Sequence, residues 1–256
     1  MRIGGLQRFT LADFPGRDAA VIFTAGCNLR CPYCHNPELV RGGARVDEET
    51  VWAFLERRRG RLDGVVLSGG EPTLQDDLLA VCRRIKAMGF ALKLDTNGLR
   101  PAVLAAVLAE GLADYIALDL KAPPEVYPER LGGGDPAALR RSLALVVAAG
   151  VAGECRTTVV HPLLTGEAVV AIGELVAGRL PWVLQDFRSH AALDPVFAAS
   201  ARPYSPEERE RLLRELDARG LPCRWRNAEV RSEAPASGRH RSLAARVAAG
   251  GDTPPG

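Results

Sequence analysis

The chain has 256 residues, 47% of them hydrophobic and 25% charged, which is enough apolar material for one large domain or two small ones. A formal charge of +2 exerts no strong pull on nucleic acid or on a membrane surface, so neither is expected as a partner. Met1-Arg2-Ile3-Gly4-Gly5 lacks the apolar core of a signal peptide and Pro101–Ala109 is too short to span a bilayer, so a cytoplasmic protein with reduced thiols is expected.

In chain order, Ile3–Leu11 reads as an edge strand or hairpin and Ala19–Thr24 as the first core strand. Asp47–Arg59 is an amphipathic helix with an acidic first turn. Val65–Ser68 is a short strand ending in Gly69-Gly70, and Asp76–Met88 is a helix closed by Gly89. Strand Phe90–Asp95 is followed by helix Pro101–Glu110 with proline at its start. The alternation continues with strand Tyr115–Leu120, helix Pro136–Ala149, strand Cys155–Val160 and helix Glu167–Ala177. Strand Trp182–Phe187, helix Pro206–Arg219 and a short strand Pro222–Trp225 complete it. About six strand–helix units argue an α/β fold with a parallel sheet, either a (β/α) barrel or an open doubly wound sheet. Residues 1–226 are the expected core domain. The Arg/Ala/Pro-rich tail 227–256, with Arg231, Arg239, Arg241 and Arg246, reads as a disordered, solvated segment.

The first core strand runs into Cys27-Asn28-Leu29-Arg30-Cys31-Pro32-Tyr33-Cys34, three cysteines spaced C-x3-C-x2-C. A tight loop would gather three thiolates around one point, and thiolates hold iron–sulfur clusters, usually four at a time. With three protein ligands, one iron of a cubane stays free to bind something else. A disulfide here would close too short a loop to stabilise much. Structural zinc would need His35 as its fourth ligand, but adjacent side chains diverge and zinc sites come as two spaced pairs. The spacing favours the cluster. Cys82, Cys155 and Cys223 are scattered and read as small buried hydrophobes.

Further polar residues fall at the carboxyl ends of the strands, where barrels of this type place their chemistry. The second strand ends Ser68-Gly69-Gly70-Glu71, in which two glycines allow close backbone approach and Glu71 can accept from an ammonium. Alternation sends Lys93 and Asp95 to one face of the third strand, Asp119 and Lys121 to one face of the fourth, and Arg156 and Thr158 to one face of the fifth. Paired charges inside a parallel barrel need a ligand or each other. Gln185, Asp186, Phe187 and Arg188 end the sixth strand near a substrate opening, Asn36-Pro37 shapes the cysteine loop, and His161 reads as a loop histidine.

The string Gly26 to Glu38, GCNLRCPYCHNPE, resembles the signature of the radical S-adenosylmethionine (SAM) superfamily, with Tyr33 in the aromatic place. Within that superfamily it is similar to the activating enzymes of glycyl radical proteins, of the kind that activates anaerobic ribonucleoside-triphosphate reductase. The likeness extends from about residue 2 to about residue 225 and includes the GGE, DTNG and D-x-K patterns around Glu71, Asp95 and Lys121. The resemblance implies an incomplete (β/α)6 TIM-like barrel with a [4Fe-4S] cluster on Cys27, Cys31 and Cys34. It implies SAM held by Tyr33, Ser68, Gly69, Gly70, Glu71, Asp95, Thr96, Lys121 and Arg156, with Glu71 and Asp95 on the amine and Lys121 on the carboxylate. A monovalent cation near Asp95, Thr96 and Asp119 is also implied. The implied reaction is reductive cleavage of SAM to a 5′-deoxyadenosyl radical that takes a hydrogen atom from a glycine of a partner, with flavodoxin or ferredoxin as electron donor. The rival readings are a radical SAM enzyme acting on a small molecule or peptide, and a metal-binding protein without turnover.

Overall fold

The computed structural model describes residues 1–43, 46–187 and 192–226; Arg188 and the tail 227–256 lie outside the described residues. Eight strands form one sheet in the order of the chain: β1 (Ile3–Thr10), β2 (Ala19–Thr24), β3 (Gly64–Gly69), β4 (Ala91–Thr96), β5 (Tyr115–Asp119), β6 (Gly153–Val159), β7 (Trp182–Asp186) and β8 (Arg224–Arg226). β1 pairs antiparallel with β2, and every later pair is parallel. A doubly wound sheet reverses its strand order at a switch point. Here the order never reverses, so the sheet curls as an incomplete barrel that stays open between β1 and β8.

The helices are α1 (Pro37–Val40), α2 (Glu48–Arg58), α3 (Leu78–Ala87), α4 (Pro101–Ala109), α5 (Tyr127–Arg130), α6 (Pro136–Ala149), α7 (Gly166–Val176), α8 (Pro195–Ser200) and α9 (Pro206–Ala218). Local chemistry sets their ends. The Asp47 side chain accepts from the Thr50 N–H at the start of α2, and Ser205 and Glu208 form a reciprocal capping box at the start of α9. Gly150 closes α6 with φ of 63°, a left-handed cap that a side chain would strain. The short helices α1, α5 and α8 lie outside the sequence expectation, because four to six residues are too few to display a helical period.

Strand alternation separates the two faces of the sheet. Val65, Leu67, Leu92 and Leu94 turn outward against Leu55, Val81, Ile85 and Leu104 of the helices. Leu118, Cys155, Val159 and Leu184 do the same against Leu139, Leu143, Val169 and Leu212. Cys82 belongs to the first of these layers and Cys155 to the second, as small buried apolar groups. Inside the barrel, Phe14 from the β1–β2 loop packs with Ala19, Val21 and Val66, 6.2 Å from the Tyr115 ring. It closes the end at which the parallel strands begin. A Cβ on Gly64 would meet that ring at 2.8 Å, which explains a glycine at the start of β3. Replacing the buried Phe14 by alanine is expected to cost about 3–5 kcal/mol, read as a lowered urea midpoint with an unchanged m-value.

Candidate functional site

Two loops, at the carboxyl ends of β2 and β3, pack together before any side chain matters. Gly70 N–H donates to the Thr24 carbonyl (2.8 Å) and Glu71 N–H to the Gly26 carbonyl (2.8 Å). A Cβ on Gly70 would lie 2.1 Å from that Gly26 carbonyl oxygen, and one on Gly69, whose φ is +108°, would lie 2.5 Å from the Thr24 nitrogen. The two glycines are therefore required by backbone-to-backbone contact with the root of the cysteine loop. The loop is tied further by Arg30, whose N–H donates to the Leu131 carbonyl (2.7 Å) and whose guanidinium donates to the Cys27 carbonyl (2.7 Å).

A cavity of about 280 Å³ opens above these loops. Cys27, Cys31, Cys34 and Tyr33 line it on the β2 side, with His35 and Asn36 beside them. Ser68, Gly69, Gly70, Asp95, Asp119, Lys121 and Arg156 make the facing wall. Thr158, Gln185 and Arg226 continue that wall in one register row across β6, β7 and β8. The three expected cysteines thus share one cavity. Among the described residues no three His, Cys, Asp or Glu side chains converge as the ligands of a single ion would. A cubane asks for a different arrangement, each thiolate reaching a separate corner, and the Leu29 N–H pointing at the Cys27 sulfur (3.4 Å) supplies a typical donor to a cluster-bound sulfur. Burial pushes the Cys27 thiol up and the Cys31 thiol up to about 12.

The facing wall is a chain of alternating charges. Lys93 donates to Asp95 Oδ1, and Arg156 Nη1 donates to Asp95 Oδ2 (3.1 Å). Arg156 Nε donates to Asp119 Oδ1 (2.7 Å), and Lys121 Nζ to Asp119 Oδ2 (3.2 Å). Ser68 Oγ adds a bond to Asp95 Oδ2 (3.0 Å). Burial opposes ionisation of both carboxyls, but Arg156, with Lys93 for Asp95 and Lys121 for Asp119, holds both below the ordinary carboxylate range. Burial likewise disfavours the Lys121 cation, yet Asp119 raises its pKa well above the usual lysine value. Of these three cations Lys121 and Arg156 reach the cavity wall and can donate to an anionic ligand group, whereas Lys93 is buried away from it.

Two of the expected residues, Glu71 and Thr96, lie away from the cavity wall. Glu71 is 1% exposed and absent from the cavity wall. Its Oε1 accepts from Thr73 N–H (3.1 Å), Thr73 Oγ (2.6 Å) and Thr96 Oγ (2.7 Å), and its Oε2 from Asn97 N–H (2.8 Å). Thr96 is spent on Glu71 and is equally absent from the wall. Asp95 and Asp119, the carboxylates expected near a monovalent cation, accept from Lys93, Arg156 and Lys121. His161 lies outside this cavity, stacked on Tyr204 at 4.1 Å, in keeping with a loop role. The sequence reading missed Asn28 and Asn97, which bond to each other at 2.8 Å although both sit inside the motif strings. It also missed Tyr127, whose hydroxyl accepts from the Lys121 N–H (2.8 Å), since nothing in its proline-rich surroundings marks it. Arg226 was legible only once β8 was paired with β7.

A model of the radical SAM superfamily matches residues 21–176. A Methanocaldococcus jannaschii protein named as a glycyl-radical enzyme activating enzyme is 33% identical over 217 residues, covering 81% of this chain and 89% of that protein. The PqqA peptide cyclase of Ruegeria pomeroyi is 39% identical over 115 residues, 43% of this chain and 30% of that protein. Streptococcus suis SuiB, solved with S-adenosylmethionine, shares the fold at a TM-score of 0.60 and 14% identity, over 80% of this chain and 49% of that one. Among the described residues no helix is long and apolar enough to cross a membrane.

Arg156→Met would take a cationic partner from both Asp95 and Asp119, an expected loss of about 3–5 kcal/mol in denaturant unfolding. Both carboxyls sit below their ordinary value of 3.8, so the stability they contribute is complete above that pH and is lost as pH falls through their folded values. The variant should therefore show a shallower acid limb in a stability-against-pH profile.

Proposed function

Because the chain belongs to the radical SAM superfamily, we propose that it is a glycyl-radical-enzyme activating enzyme, which cleaves SAM reductively and takes a hydrogen atom from one glycine of a partner protein. The observation that carries this reading is a single cavity with three cysteines on one side and the cationic donors Lys121 and Arg156 on the other. Cys27, Cys31 and Cys34 would hold a [4Fe-4S] cluster. When bound and reduced, such a cluster supplies the electron that breaks a carbon–sulfur bond of SAM.

The chain's own residues do the rest. Lys121, with Arg156 behind it, presents cationic donors to the SAM carboxylate. Asp95, Ser68 and the backbone of Gly69 and Gly70 offer acceptors to the amine, and Tyr33 borders the same space. Phe14 seals the lower end against water. The gap between β1 and β8 leaves lateral room for a polypeptide loop, and a glycine suits it because no side chain must be accommodated.

Residues 1–226 would form the catalytic unit in a reducing cytoplasm, with flavodoxin or ferredoxin as donor and anaerobic ribonucleoside-triphosphate reductase as partner. The likeness to a PqqA peptide cyclase supports a second reading, a radical SAM enzyme acting on a peptide.

Anaerobic reconstitution with iron and sulfide should give one four-iron cluster per chain, and alanine at Cys27, Cys31 or Cys34 should abolish the brown chromophore or leave it labile. Lys121→Ala should weaken SAM binding about ten- to hundredfold while keeping the cluster, the scale of one charge-assisted hydrogen bond. Reduced protein mixed with SAM and the reductase should give a glycyl doublet in electron paramagnetic resonance (EPR). Active SAM cleavage with no doublet on any glycyl radical protein would favour the peptide reading.

A further inference from the structure

Glu71 has a carboxylate that touches no part of the cavity, yet it sits where the ligand-facing loops converge. A charged group with four donors around it is not idle, because each charge-assisted bond is strong and the group would be costly to bury without them. Its main-chain N–H donates to the carbonyl of Gly26, the residue before Cys27. Its Oε2 fixes the backbone of Asn97, whose side-chain amide donates to Asn28 Oδ1 at 2.8 Å. Asn28 is the residue after Cys27. The Asn97 side-chain oxygen is itself locked by the Leu99 N–H at 3.1 Å, so the amide has one orientation to offer. Both neighbours of Cys27 are therefore gripped from one residue, one side by its backbone and the other by its side chain through Asn97.

We infer that Glu71 is a positioning residue for Cys27, acting on the cysteine loop rather than on the ligand. The inference rests on the reading of Cys27 as a cluster ligand. A thiolate displaced by a fraction of an ångström changes the bond to its iron and the donor it receives from Leu29, and both tune a cluster's potential. Burial pushes the Glu71 carboxyl above its ordinary value, against the donors from Thr73, Thr96 and Asn97.

Glu71→Gln tests this, because it preserves shape and turns one oxygen into a donor facing other donors. Three readouts separate the possibilities. In the reconstituted protein without SAM, Glu71→Gln should shift the reduced-cluster EPR spectrum and speed iron loss to a chelator about fivefold, the scale of one hydrogen bond. Asn28→Ala should do the same, and the double variant should add little, because both act along one path. In the cluster-free protein, iodoacetamide should alkylate Cys27 about fivefold faster in either variant, with Cys34 unchanged. This last arm needs no cluster, so it still decides the positioning role if the cluster reading fails. A Glu71→Gln protein with unaltered EPR, iron loss and Cys27 labelling but tenfold weaker SAM binding would overturn the inference in favour of a ligand contact. A lower urea midpoint with all three readouts unchanged would reduce Glu71 to a purely structural residue and overturn it equally. If Glu71→Gln does not fold, Asn28→Ala and Asn97→Ala carry the same comparison, and wild-type Cys27 labelling in both would count against it.

Discussion

Everything in this barrel turns on Arg156. One guanidinium lies between two carboxylates from neighbouring strands, the buried Asp95 on β4 and the partly buried Asp119 on β5, and is itself carried on β6. Isolated, any of these charges would be prohibitively costly inside a parallel barrel. Joined end to end with Lys93 and Lys121, they become a wall that is both polar and satisfied. That permits a cavity with charged sides in the middle of a fold whose outer face is packed with leucine and valine. The strand ends need not be held by ligand. They are held by each other, and the ligand meets a surface already set.

The cysteine side is built on a different principle. There, the fixed points are main-chain atoms: Gly70 and Glu71 against Thr24 and Gly26, Arg30 against Leu131. Where two backbones touch, no side chain fits between them, and the glycines of the β3 end are explained by their neighbours without reference to any ligand. Proximity to the ligand and proximity to the cysteine loop are then the same geometric demand made twice.

Much of this was legible beforehand. Period-two alternation correctly put Lys93 with Asp95 and Asp119 with Lys121, because a strand leaves its side chains no other choice of face. The strand–helix alternation gave the fold class, and the direction of the crossovers then decided barrel against open sheet, which only the strand order reveals. Glu71 shows where such reading stops. A motif says that a carboxylate is needed after two glycines; it does not say which way the carboxylate turns. Its partners are a threonine two residues on and the end of a different strand, and only the fold brings Thr96 and Asn97 to it. Asn28 and Asn97 were invisible for the same reason: each is an ordinary loop residue until the other arrives.

The Phe14 plug has a kinetic consequence. With the lower end of the barrel closed, the cavity is reached from above and from the side between β1 and β8. A small molecule lying on the Asp95–Arg156–Asp119 wall would be trapped only by a larger one that covered both openings at once. With such a cover in place, binding and release would be ordered, last in and first out, and the turnover of the inner site would be governed by the departure of whatever covers it.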